Sequence, residues 1–419
     1  MKTVLFNVVM TFTVITMSCG RPPAHSINEN FVLNLAQTQP EEQIPILAWY
    51  GVQEHTVERY LELKASGITH DFTHILPNVD VVATALDAAE KAGIKIMFYC
   101  PELKNEPEET VKRFKDHPAL AGYFLADEPG PGFFPQLGEW VRRVRAVDEN
   151  HFCYANLLPN WAPQWALGTD NYREHVQLYI KDVPTQILSF DHYPVLAEPS
   201  GNRILRSEWY DNLEVFSDEA RKAGKPFWAF ALTVAHGPYP IPTRAEIRLQ
   251  VYSNLAYGAQ GIQYFTYWTP KVNNEDFHHA PIDCETGKRT EIYDYIKEIN
   301  LEIKHLSSVF LNSQVISIAH TGENIPQGTK RLEKLPDIIK TFEVEGEGAI
   351  VSVLQKDGKS YLVVVNRDFK NNMKVKIEGE HGLQRILKDG IIVPASAYIS
   401  DMAVDPGDVL IFCWNTGDD

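Results

Sequence analysis

The feature that most constrains this chain is a repeated beat that begins at Ile46. Short, continuously apolar runs alternate with segments whose apolar residues recur every three or four positions, and several of those segments close on a glycine. The first pattern reads as a strand buried on both faces, the second as an amphipathic helix with a glycine C-cap. Strands are expected at residues 46–50, 70–76, 95–100, 120–126, 152–158, 187–191, 226–232 and 261–268. Helices are expected at 56–65, 81–92, 108–115, 137–147, 172–181, 207–223, 243–257 and 289–310. Eight strand–helix units in about 265 residues match the usual size of a (β/α)8 barrel. A doubly wound open sheet would want a glycine-rich phosphate loop after an early strand, and after Tyr50 there is only Gly51.

Beyond Leu311 the period changes. Runs at 349–355, 360–366, 373–378 and 408–413 alternate, with Asp357-Gly358, Asp389-Gly390 and Pro406-Gly407 as turn pairs. These are hairpin signals, so residues 312–419 are expected to form a small antiparallel β-sandwich after a barrel at 45–311.

The N-terminus is expected to be a targeting segment. Lys2 is the only charge in residues 1–19, and Thr3 to Met17 are largely apolar but short for a membrane span. Ser18-Cys19-Gly20 resembles a bacterial lipoprotein signal, which implies cleavage before Cys19 and lipidation of that cysteine. Residues 20–44 are polar and aperiodic and read as a tether. The expected location is the cell envelope, lipid-anchored, in the periplasm or outer membrane, with the anchor as the only membrane contact. A formal charge of −16 argues against nucleic acid or an anionic membrane surface as main partner. The remaining cysteines are widely spaced and form no metal-ligand pattern, and no cofactor or metal is expected.

In a (β/α)8 barrel, chemistry sits where the strands end. The fourth run, Gly122-Tyr123-Phe124-Leu125-Ala126, stops on Asp127-Glu128-Pro129, and proline cannot continue a sheet ladder. The other tips offer Trp49 and Tyr50, His74 and Asn78, Tyr99, Asn156 and Trp161, Asp191-His192-Tyr193, His236, and Trp268. Such a rim is aromatic, amide-bearing and acidic, which suits a carbohydrate: rings stack on sugar C–H faces, amides and carboxylates bond the hydroxyls. Glycosidic cleavage needs one protonated carboxyl group and a second carboxylate. Glu128 is the natural proton donor, Asp127 a partner for a sugar hydroxyl, and Asp191 the only other carboxylate seated at a strand tip. Trp49, Tyr50, Tyr99, Asn156, Trp161, His192, Tyr193 and Trp268 are the expected substrate contacts.

The stretches 122–129, Asn156-Leu157-Leu158-Pro159-Asn160, 189–194 and 258–268 resemble glycoside hydrolases of gut-type Bacteroidetes, related to the large clan of (β/α)8 glycosidases that includes β-galactosidases and cellulases. The resemblance implies that Glu128 matches the clan's acid/base glutamate, with Asp127 where the clan has Asn. It also implies a glutamate nucleophile at the end of strand seven, but here that strand reads Phe227-Trp228-Ala229-Phe230-Ala231-Leu232-Thr233-Val234-Ala235-His236. Three alternatives follow. Asp191 serves as second carboxylate, an acid from the loop after strand eight (Glu275, Asp276 or Asp283) reaches in, or the barrel binds glycans without cleaving them.

Overall fold

The computed structural model describes residues 43–272, 275–398 and 402–417. The expected signal peptide, Cys19 and nearly all of the tether lie outside the described residues. Ile44 is buried, and its N–H donates to Ser307 Oγ (3.2 Å).

Eight parallel strands form one sheet: β1 (Ile46–Trp49), β2 (His70–Phe72), β3 (Lys95–Phe98), β4 (Leu120–Asp127), β5 (Phe152–Asn156), β6 (Leu188–Phe190), β7 (Phe227–Leu232) and β8 (Gly261–Phe265). Their order, β5-β4-β3-β2-β1-β8-β7-β6, is circular; Leu157 N–H donates to Ser189 O (2.8 Å) and joins β5 to β6. The barrel is therefore closed, as expected. Its main outer helices are α1 (Val57–Ala65), α2 (Val79–Ala92), α3 (Pro107–Phe114), α4 (Phe134–Arg145), α5 (Tyr172–Asp182), α6 (Trp209–Lys222), α7 (Arg244–Ala256) and α8 (Glu291–His305). Polar caps set several starts. Asn78 Oδ1 accepts from the N–H groups of Asp80 and Val81, so this residue begins α2 rather than ending β2. Thr243 and Glu246 form a reciprocal capping box on α7.

The strands are apolar throughout because both faces are covered. Ile46, Ala48, Ile96, Phe98, Ala229 and Ile262 point out against the helices. Leu47, Trp49, Phe72, Met97, Phe124, Tyr154, Trp228 and Phe230 fill the lumen. Several strands end earlier than their apolar runs suggest. The backbone swings to positive φ at Tyr50 (47°) and His74 (102°), leaving the sheet for the loops of the mouth. Gly51 follows Tyr50 for a steric reason, since a Cβ there would lie 1.8 Å from Asp71 Oδ1.

After the barrel, a six-stranded antiparallel sheet has the order β9 (Gln314–His320), β11 (Ala349–Lys356), β12 (Lys359–Asn366), β17 (Val409–Asn415), β14 (Gln384–Ile386), β15 (Ile392–Pro394). A second sheet holds β10 (Ile339–Glu345), β13 (Met373–Gly379) and β16 (Met402–Val404). Val351, Leu362, Val364 and Phe412 meet Val375 and Ile377 between the sheets. The larger sheet's other face (Ile350, Val363, Val365, Ile411) joins the barrel core. α7 lies along that join and is buried around its whole circumference.

Candidate active site

A β-bulge aims the acids. Phe124 pairs with Tyr154 and both face the lumen, so simple alternation would turn Ala126 inward and Asp127 out. The register instead shifts between Phe124 and Ala126, and Asp127 ends up opposite Asn156. Asn156 has the parity of Tyr154, so Asp127 now faces the mouth. The next residue, Glu128, takes a left-handed backbone (φ 46°) and is held by its N–H donating to Asn156 O (2.8 Å). A non-glycine residue in that region is strained, and such strain tends to be kept where a side chain must be presented.

Asn156 is the hub. Its single Nδ2 donates to Asp191 Oδ1 (2.7 Å) and to Asp127 Oδ1 (3.4 Å), so those two oxygens are at most about 6 Å apart. Its Oδ1 accepts from Ser189 Oγ (2.9 Å), which fixes which way the amide points. Ser189 Oγ is bonded to Tyr154 OH (2.6 Å) and accepts from Gln263 Nε2 (2.9 Å); Tyr154 OH donates to Gln263 Oε1 (2.5 Å). This buried polar plug sits beneath the mouth and is anchored on β5, β6 and β8. Among the described residues the carboxylate of Glu128 accepts no hydrogen bond.

Charge crowding follows. Asp127 and Glu128 are exposed at the mouth. Loss of water raises the Asp127 carboxyl to about 6, against the pull of Asn156. Loss of water and the negative charge of Asp127 raise Glu128 to about 7. Burial, then the charges of Glu128 and Asp127, push Asp191 upward as well, while Asn156 opposes. Of the three, Glu128 is the one with no donor to stabilise its anion, so it is well placed to keep a proton near neutrality.

The aromatic expectations divide. Trp49 is only 3% exposed, with Phe72, Phe124 and Phe230 edge-on at 4.7–5.3 Å. A ring boxed in this way packs the lumen. Tyr193 is buried and stacked on Phe265 (5.4 Å). Trp268 is buried, with the Arg59 guanidinium 5.0 Å from its ring centre. His192 is buried too, and loss of water lowers it to about 3, so it is neutral. All four are largely buried by packing at or just below the rim of the barrel. Asn156 donates to two carboxylates. Tyr50 and Tyr99 stay half-buried at the rim, and Trp161 is 43% exposed. Tyr99 lines a cavity of about 330 Å³ beside Asp127, together with His74, Ile75, Lys104 and Phe133.

At the end of β7 the clan's nucleophile position is filled by apolar packing. Val234 and Ala235 are buried, and the loop after β8 lies over them: Ala235 and His278 exchange backbone hydrogen bonds (2.9 and 3.0 Å). Phe277 stacks on His236 (4.6 Å). Of the loop acids, Asp276 accepts from Gly237 N–H (3.2 Å) at the surface. Asp283 is tied to the N–H and Oγ1 of Thr286 in its own turn, and Glu275 is exposed. Sequence reasoning missed Tyr154, Ser189 and Gln263. The available signal was a polar side chain at a lumen-facing position inside an otherwise apolar strand. The one grouping with metal-ligand spacing among the described residues, Asp87, Glu90 and His117, lies on α2 and the loop entering β4, away from the mouth.

Fold and site together give a (β/α)8 barrel with three carboxylates gathered at its mouth. A glycoside hydrolase family 42 model, described as β-galactosidase, matches residues 157–306, which is about a third of the chain; it includes Asp191 and begins after Glu128. Among solved structures, a β-galactosidase from Bacillus circulans sp. alkalophilus superposes with a TM-score of 0.60 at 11% identity, covering 89% of this chain and 99% of its own. A catalytic mutant of Gan42B, a GH42 β-galactosidase from G. stearothermophilus, gives 0.60 at 10%, covering 89% and 98%. An α-amylase from Geobacillus thermoleovorans gives 0.50 at 12%, covering 89% and 99%. At such identities the likeness is one of fold. No curated protein matches the chain in sequence.

Proposed function

We propose that this protein is an exported glycoside hydrolase, with Glu128 as general acid and Asp191 as second carboxylate. The observation that carries the reading is the cluster itself: three carboxylates from β4 and β6, two of them bridged by Asn156, with the third unbonded and raised to about 7. A carboxyl group that stays protonated near neutrality protonates a glycosidic oxygen, and an ionised neighbour completes the pair. The partial family match and the barrel neighbours support the same class, and the activity named for that family makes β-galactosides the first substrates to try. The leader sequence and Cys19 support a lipid-anchored protein of the cell envelope.

The test is sugar release from a panel of β-galactosides and plant and host glycans, with wild type beside Glu128→Gln. Release that the variant loses is expected, and unchanged release in the variant overturns the assignment. A product of retained configuration makes Asp191 the nucleophile; an inverted one makes it the base for water. A second reading, a glycan-binding protein without turnover, is favoured by one observation: the covered, acid-free end of β7. Binding without release by wild type would establish it.

A further inference from the structure

Arg206 has no part in the proposed cleavage, yet it stands at the same mouth. A small hairpin after β6, Val195–Ala197 with Arg203–Leu205, brings the chain back so that Arg206 N–H donates to Pro194 O (2.7 Å), three residues beyond Asp191. Its guanidinium carbon lies 4.6 Å from the centre of the Trp161 ring. Trp161 is itself held in place. The preceding Asn160 accepts no freedom from its loop: its N–H donates to Asn212 Oδ1 (2.7 Å) and its Nδ2 to Glu208 O (3.0 Å) and Asp211 Oδ2 (3.1 Å). Trp165, four residues on, is 86% exposed.

Arg206 is held by longer bonds than Arg203 and Arg248. Arg203 reaches both oxygens of Glu246 at 2.7 and 2.6 Å, and Arg248 reaches Glu298 and Glu302 at 2.7 and 2.5 Å. Those are short, charge-assisted bonds of a structural ion pair. Arg206 has only Tyr239 OH at 3.4 Å and Glu208 Oε1 at 3.5 Å, and its buried Nε has no acceptor. Its side chain is 17% exposed. Tyr239 packs edge-on against Tyr193 (5.6 Å), two residues beyond Asp191. A planar cation stacked on a fixed indole, with loosely held donors, is preorganised for a planar or tetrahedral oxyanion.

We infer that Arg206 and Trp161 form a subsite for an anionic sugar, a pyranose carrying a carboxylate or a sulfate, next to the point of cleavage. This rests on the glycosidase reading and names its substrate class. A neutral glycan would leave Arg206 with only its long bonds to Tyr239 and Glu208, whereas an acidic one gives it a shorter charge-assisted partner.

The experiment compares three oligosaccharides of one linkage, neutral, uronate-bearing and sulfated, on wild type, Arg206→Gln and Arg206→Lys. Wild type should have the lower KM for one or both acidic substrates. Arg206→Gln should raise that KM by about 10- to 100-fold and leave the neutral substrate within about threefold. Arg206→Lys should fall between, keeping charge but losing the planar stack. Which acidic arm responds distinguishes carboxylate from sulfate. Equal losses on neutral and acidic substrates, or a wild-type preference for the neutral one, overturn the inference. If wild type cleaves nothing, the glycosidase reading fails by itself; calorimetric binding of the acidic oligosaccharides to Glu128→Gln, with and without Arg206→Gln, then tests the subsite. Binding lost with Arg206 upholds it, and binding that ignores Arg206, or none, overturns it.

Discussion

The ends of β4 and β7 face the same mouth and have opposite characters. β4 breaks its register with a bulge and turns Asp127 and then Glu128, on a left-handed backbone, toward the mouth. β7 runs on into Thr233, Val234 and Ala235, all buried, and is covered by the loop that carries Phe277 and His278. One end is strained and acidic, the other relaxed and apolar. The site's charge is thereby drawn to the β4–β5–β6 side, where Asn156 ties two of the acids together. In a barrel, moving chemistry by one or two strands requires only that some other strand tip deliver the second carboxylate, because all tips converge on one opening.

The contrast breaks most sharply at Glu128. Glu128→Gln should lower kcat by about 10²–10⁴-fold, the usual contribution of a general acid, measured on whichever substrate wild type cleaves. Trp49 spans the two regions, meeting Phe124 of β4 and Phe230 of β7. Trp49→Ala should cost about 3–5 kcal/mol in denaturant unfolding, whereas Trp161→Ala, at the exposed rim, should leave stability within about 0.5 kcal/mol and raise KM. Restoring an acid on β7 is the converse test. Val234→Glu would bury an unpaired carboxylate and should lose more than about 3 kcal/mol without gaining turnover; a more active, stable variant would show that the covering loop had only hidden a site.

Two smaller effects follow from charge. Activity should fall above about pH 7 as Glu128 loses its proton. Asp127→Asn removes the negative neighbour that disfavours the Glu128 anion, so that limb should move to lower pH by about one unit in a kcat profile. The same crowding bears on stability. A carboxyl raised in the folded state binds its proton more tightly folded than unfolded, so stability is lost as pH rises from the unfolded value of 4.5 toward about 7. Glu128→Gln lacks that loss. Its Tm should exceed wild type by about 1–3 °C at pH 8 and match it at pH 4, and a lower Tm at pH 8 would remove the argument for crowding.

Much of this was legible without a structure. The strand–helix beat, the acids at the end of the fourth strand and Asp191 at the end of the sixth are local properties, readable because periodicity and strand termination are short-range. The sandwich was legible only in its most apolar strands. β9 and β10 carry exposed residues along much of their length and gave little signal. The burial of the aromatic tips was not legible: a ring at a strand end looks the same in sequence whether the neighbouring strands enclose it, as with Trp49, or leave it exposed, as with Trp161.

By itself, then, the sequence determined the barrel, the strand ends and the identity of the acids, because a buried parallel strand and an amphipathic helix each write their period into adjacent residues. Only the tertiary structure decided that Asn156 bridges Asp127 and Asp191, that Ser189, Tyr154 and Gln263 hold it from three strands, that the loop after β8 covers β7, and that Arg206 lies against Trp161. Those contacts join residues 29 to 109 positions apart. Their geometry depends on the bulge in β4 and on barrel closure, and neither leaves a mark in the residues on either side of it.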